Sequence, residues 1–153
     1  MEELLDHLRS DMFKTFACFE YALKAAGFHY GDGPAKPNWI SFAESVTDLF
    51  ERPTDQDFKA AVEYILNHPP KQQVIKDGLL DWSDVAPNTA LRSDLVLRYV
   101  RRVRNNLFHG GKFNGRWFAP ERSEQLLRHS LTVLHACLRA SQDVGDAYYE
   151  RSK

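Results

Sequence analysis

Apolar residues recur at intervals of three and four along much of the chain, the spacing of one face of an α-helix. From Glu2 to about Ala26 the stripe is Leu4, Leu5, Leu8, Met12, Phe16, Phe19 and Leu23, with Gly27 as a stop. His29 to Pro37 carries two Gly and two Pro and reads as a loop. A second helix is predicted from about Ser41 to Arg52, opened by Ser41 and Glu44 as a capping box. Pro53 breaks the chain, and Thr54 caps a third helix that carries Phe58, Ala61, Val62, Ile65 and Leu66 and ends at Pro69-Pro70. Lys71 to Ala90, with Gly78, Trp82, Pro87 and Asn88, is the least regular stretch; a short helical turn and a long connection are expected there. A fourth helix is predicted from about Ala90 to Phe108, closed by Gly110-Gly111. Gly110 to Phe118 reads as a turn or short hairpin. A fifth helix opens near Pro120, a residue suited to the first turn, and runs to about Tyr149 with Leu126, Leu127, Leu131, Leu134 and Leu138 inward.

Alternating strand patterns are almost absent, and no repeat or low-complexity tract is visible. The expected fold is all-α: one domain over residues 1–153, an antiparallel bundle of about five helices. Composition agrees. With 153 residues, 43% hydrophobic, 12% aromatic and 27% charged, the chain holds enough apolar bulk for one core. Two cysteines, Cys18 and Cys137, are too few for a disulfide framework, so a reduced, cytoplasmic setting is expected. No apolar run approaches the roughly 20 residues of a membrane span. The amphipathic, acidic N-terminus does not read as a signal peptide. A membrane is therefore not among the expected partners.

The net charge of −1 says little, but its distribution changes the picture. Met1 to Leu91 holds 8 Lys/Arg against 15 Asp/Glu, whereas Arg92 to Arg128 holds 9 against 3. A basic segment in an otherwise acidic chain is either an anion-binding surface or a solvated helix face paired with the acidic half. On the fourth helix Val96, Val100, Val103 and Leu107 form the buried stripe. Arg101, Arg104, Asn105 and Phe108 lie on another face, and Arg98 and Arg102 on a third flank. His109 falls one turn after Asn105. Arg104 and His109 are five apart, about 140° around an ideal helix, so one straight helix splays them.

Arg104-Asn105-Asn106-Leu107-Phe108-His109 resembles the Rx4–6H signature of the HEPN superfamily. RVRNNLFHGGKF (Arg102 to Phe113) and FACFEYALKAAGF (Phe16 to Phe28) are similar to the plasmid- and phage-defence HEPN subgroup; these two stretches carry the specific likeness. The resemblance implies a metal-independent endoribonuclease, a toxin or defence effector whose two motifs meet in one cleft of a homodimer, with RNA as substrate and an antitoxin protein as a further partner. It implies His109 as general base or acid, Arg104 as phosphate ligand and Asn105 as the orienting residue. The residue types suit the chemistry. RNA brings its own 2′-OH nucleophile, His titrates near pH ~6.5, and Arg grips phosphate through two N–H groups. Arg101, Lys112 and Arg116 are candidates for backbone contacts. The divergence of Arg104 and His109 makes the site depend on the helix end at Gly110-Gly111 and on a second subunit.

Plainer readings stand beside these. Arg104 can be a structural ion-pair partner, for instance of Glu20, and His109 a cation at a helix C-terminus. Glu20, between Phe19 and Tyr21, either positions Arg104 or His109 or is a surface charge. A non-catalytic HEPN-like module that binds RNA or protein is the competing function. Trp117, Phe118 and Phe113, interleaved with Lys112 and Arg116, suit base stacking or burial equally. His129, His135 and Cys137 lack metal-ligand spacing, so no metal is expected. Phosphate-loop and dinucleotide-binding motifs are missing, so no cofactor is expected either. Tyr148-Tyr149 is a conceivable target of a partner nucleotidyltransferase, as in some HEPN proteins.

Overall fold

The computed structural model describes residues 2–108 and 120–152. The helices are α1 (Glu2–Ala25), α2 (Trp39–Ser45), α3 (Thr47–Glu51), α4 (Gln56–Asn67), α5 (Arg92–Phe108), α6 (Pro120–Ala140) and α7 (Gln142–Ser152). Two strands, β1 (Gln72–Lys76) and β2 (Leu79–Ser83), lie between α4 and α5. Helix α1 packs along α6 and α7, α4 packs along α6, and α5 rests on α2, α3 and α1. The predicted stripes supply the core. Met12, Phe19 and Leu23 of α1, Val96, Val100 and Val103 of α5, and Leu126, Leu127 and Leu134 of α6 are completely buried. Each contributes on the order of 1.5–3 kcal/mol. Leu4 instead is exposed, and Leu107 and Leu131 are only partly covered.

The all-α expectation is corrected by β1 and β2, which pair antiparallel from Gln72 opposite Ser83 to Lys76 opposite Leu79. Their turn is Asp77-Gly78, with φ of 53° and 76°. Two consecutive left-handed residues match the twist of the flanking strands, which is why Asp-Gly is a hairpin signal. The hairpin leaves Ile75, Leu79 and Leu80 exposed.

The helix count also changes, because two predicted helices are each broken in two. The second splits at Val46, where Ser45 Oγ donates to Phe42 O (2.7 Å) and Thr47 Oγ1 to Glu44 O (2.7 Å). Such side chains compete with the helix ladder. Its cap is Asn38, whose Oδ1 accepts the Ser41 N–H at 3.1 Å, so Ser41 sits inside the first turn. Asp55, not Thr54, caps α4 by accepting the Asp57 N–H at 2.8 Å. The fifth predicted helix breaks at Ser141, and α7 folds back tightly on the end of α6. A Cβ at Gly145 would sit 2.6 Å from the Leu138 carbonyl oxygen, so only glycine fits there. The turn or hairpin expected over Gly110 to Phe118 lies outside the described residues.

Candidate functional site

Helix α5 carries a carboxylate in its first turn and arginines after it. Asp94, Arg98 and Arg101 are spaced by four and three, which puts them on one face. Asp94 is only 4% exposed. Its Oδ2 accepts from Arg98 Nε at 3.0 Å, and its Oδ1 lies 3.8 Å from Arg101 Nη2. A carboxylate at a helix N-terminus is favoured by the dipole, and here it also aims two cations. The Arg101 guanidinium lies over the Trp39 ring, 5.3 Å from its centroid, and that of Arg104 lies 5.2 Å over Phe16. Arg104 Nη1 also donates to Asn105 Oδ1 at 2.9 Å. Arg102 lies over Tyr99 at 5.4 Å.

Trp39 is the hinge of this arrangement. It stacks parallel on Phe19 at 5.2 Å, and its indole Nε1 donates to Glu20 Oε2 at 2.8 Å. Glu20 is thereby fixed beside the arginines. These side chains line one cleft of about 730 Å³, with Lys36, Pro37 and Tyr30 on one lip and Val85 to Pro87 on another. Among the described residues, its charged lining is five cations (Lys36, Arg98, Arg101, Arg102, Arg104) against the single carboxylate of Glu20. Burial lowers the pKa of Arg101; Asp94 opposes that, Arg98 adds to it, and Glu20 and Tyr30 oppose it more weakly. Burial lowers Arg102 as well, with Tyr99 opposing and Arg98 adding. Arginine stays protonated regardless. The direction reflects the loss of solvation on burial, only partly offset at Arg101 by the nearby carboxylates. Arg101 Nη2 is buried and makes no hydrogen bond among the described residues; its ion-pair partner there is Asp94 Oδ1 at 3.8 Å.

Comparison with family models, curated proteins and solved structures returned no match.

Of the residues singled out from sequence, Arg101, Arg104, Asn105 and Glu20 come together in this cleft. His109, Lys112 and Arg116 lie outside the described residues, as do Phe113, Trp117 and Phe118. The two neighbouring asparagines divide their work. Asn105 is exposed in the cleft, while Asn106 is buried and donates Nδ2 to Lys71 O at 3.0 Å, tying the base of the hairpin to α5. Arg98 and Arg102, placed on a separate flank by helix geometry, line the same cleft, because Asp94 draws Arg98 in and long side chains reach round the helix. Sequence reasoning missed Asp94, Trp39, Tyr30 and Lys36. Only Asp94 had a local signal, its spacing to Arg98 and Arg101.

A second cleft, of about 890 Å³, lies between α1, α4 and α6. Asp11, Asp55 and Asp57 face Arg128 and Arg139 across it, with His129 and His135 between. Arg139 Nη2 is 3.7 Å from Asp55 Oδ2. Burial lowers the pKa of His129; burial, then Arg139, lowers that of His135 against the opposing Asp11. The His129 ring packs 4.8 Å from Tyr64. Cys137 is fully buried and its thiol pKa is pushed far up, so it is a core residue and no nucleophile. Among the described residues no group of three or more His, Cys, Asp or Glu is placed to share a metal ion. No described helix is long and apolar enough to cross a membrane.

Proposed function

We propose that the chain is a metal-independent endoribonuclease of the HEPN type, a toxin or defence effector whose active site is completed by a second copy. The observation that carries the reading is the cleft at the C-terminal half of α5. There Arg104 and Asn105, the first two residues of the motif, stand with Arg98, Arg101 and Arg102 against one carboxylate, Glu20. A surplus of guanidinium groups on aromatic faces suits a phosphodiester. His109 follows the last residue of α5 directly in sequence.

The chemistry runs on the substrate's own nucleophile. The 2′-OH loses its proton to a general base and attacks the adjacent phosphorus. The P–O5′ bond breaks, the 5′-oxygen takes a proton, and a 2′,3′-cyclic phosphate and a 5′-OH end remain. His109 serves as base or acid, worth on the order of 10²–10⁴ in rate. Arg104 neutralises charge on the non-bridging oxygens. Asn105, bonded to Arg104, holds the guanidinium in place. Glu20 is a positioning residue acting through Trp39 on Arg101.

The test is cleavage of RNA in EDTA by the wild-type protein and by His109→Ala and Arg104→Ala, with end analysis of the products. Cleavage to cyclic-phosphate ends, lost in both variants, is expected. RNA binding without cleavage by the wild type would assign the chain to the non-catalytic module instead. A monomer at micromolar concentration that still cleaves would remove the two-copy site.

A further inference from the structure

Among the described residues the basic cleft is lined by three aromatic rings, and their states differ. The Trp39 ring is packed between Phe19 and the Arg101 guanidinium. The Phe16 ring is covered by Arg104 and packs on Trp39 at 5.4 Å. Tyr30, in contrast, is open: it lines the cleft yet is 65% exposed. Its loop is not loosely attached. The Phe28 N–H donates to Leu23 O (2.8 Å), the Asn38 N–H to Phe28 O (2.9 Å), and the Gly31 N–H to His29 Nδ1 (2.9 Å). His29 also bridges Pro37 across the loop. What sets Tyr30 apart from the other exposed apolar side chains is that an anchored loop places it on the rim of the basic cleft.

Resting on the ribonuclease reading above, we propose that Tyr30 is the stacking platform for one unpaired base of a single-stranded RNA whose phosphates run over the α5 arginines. One observation favours a strand over a lone nucleotide, and the proposed stacking itself requires an unpaired base. Arg98 to Arg104 spans about 9 Å along the helix, so more than one phosphate comes within reach. A base laid flat on Tyr30 must also be unpaired, which a duplex does not offer. Phosphate contacts set the register on the arginines, and Tyr30 then requires a base at one position of that register. The ring discriminates for the presence of a base rather than for its identity, because every base has a π-face.

The test is anisotropy binding of short labelled single-stranded oligomers made 2′-O-methyl, which removes the nucleophile. Wild type, Tyr30→Ala and Tyr30→Phe are compared on a base-bearing oligomer and on an abasic one of equal length. Tyr30→Ala should weaken the base-bearing oligomer about tenfold and leave the abasic one unchanged, and Tyr30→Phe should match wild type. Unchanged binding of the base-bearing oligomer by Tyr30→Ala overturns the platform while the cleft reading stands. Equal loss on both oligomers overturns stacking in favour of a general effect on the loop. Competition by adenosine monophosphate as strong as by the oligomer overturns the strand. If wild type binds neither oligomer, the ribonuclease reading fails with it.

Discussion

The two large clefts hold charged side chains in opposite ways. In the cleft between α1, α4 and α6, three aspartates face two arginines, and burial favours the neutral form of the two histidines. Charges of the two signs nearly cancel there, three carboxylates against two guanidinium groups. In the cleft on α5, five cations share one carboxylate in the described lining and one buried carboxylate beneath, Asp94. Aromatic rings lie under the guanidinium groups of Arg101 and Arg104, and Asp94 adds an ion pair to Arg101 from beneath. Size does not separate the clefts; the balanced one is the larger. What separates them is whether the protein itself has cancelled the charge it gathered.

The sharpest way to break that comparison is to remove one acid from each cleft. Asp94→Asn leaves Arg98 and Arg101 without their buried anchor and should cost about 3 kcal/mol, lowering Tm by roughly 6–12 °C. Asp55→Asn keeps an amide able to cap α4 and removes only an exposed ion pair, about 0.5 kcal/mol. Equal losses in thermal denaturation would mean that the two clefts do not differ in kind.

Next in size, on the proposed ribonuclease reading, is RNA affinity against salt. Arg101→Ala should weaken binding about tenfold and flatten the log–log salt slope by about 0.7 for each phosphate it no longer neutralises. The same substitution at Arg128, in the balanced cleft, should leave both unchanged. If Arg128→Ala matches Arg101→Ala, binding is a diffuse property of the surface.

The histidines of the balanced cleft sharpen the comparison through pH. Burial lowers the folded-state pKa of His129 and His135, so below pH ~6.5 the unfolded chain takes up protons first. Their contribution is fully present above that pH and is lost as the pH falls through the folded-state values. A falling Tm from pH 7 to 5, with a shallower fall in His135→Gln, is expected; parallel curves would remove His135 as the source. The smallest effect is Arg139→Ala, which gives up a 3.7 Å surface pair and should cost under about 0.5 kcal/mol by denaturant titration.

The contrast also explains what was legible in the sequence. Helix α5 was read nearly to its ends, because Val96, Val100 and Val103 mark its buried face locally. Arg101, Arg104 and Glu20 were named from residue type and motif, and they do share a cleft. The Asp77-Gly78 turn was equally local, yet QQVIK and LLDWS do not alternate cleanly, and the hairpin went unread. The break at Ser141 has no proline to announce it; it depends on Gly145 meeting Leu138 in three dimensions. Trp39 over Glu20 and under Arg101 joins α1, α2 and α5, a meeting of distant segments that no periodicity encodes.

A long flexible cation ordinarily surrenders about 2 kcal/mol of rotamer entropy when it is fixed on a ligand. Arg101 on Trp39 and Arg104 on Phe16 have given up much of that freedom when the chain folded. The cost is charged to the stability of the bundle instead of to the encounter. An incoming anion therefore meets a surface whose disorder has already been removed, and replacing either arginine by lysine would keep the charge while returning that disorder to the binding step.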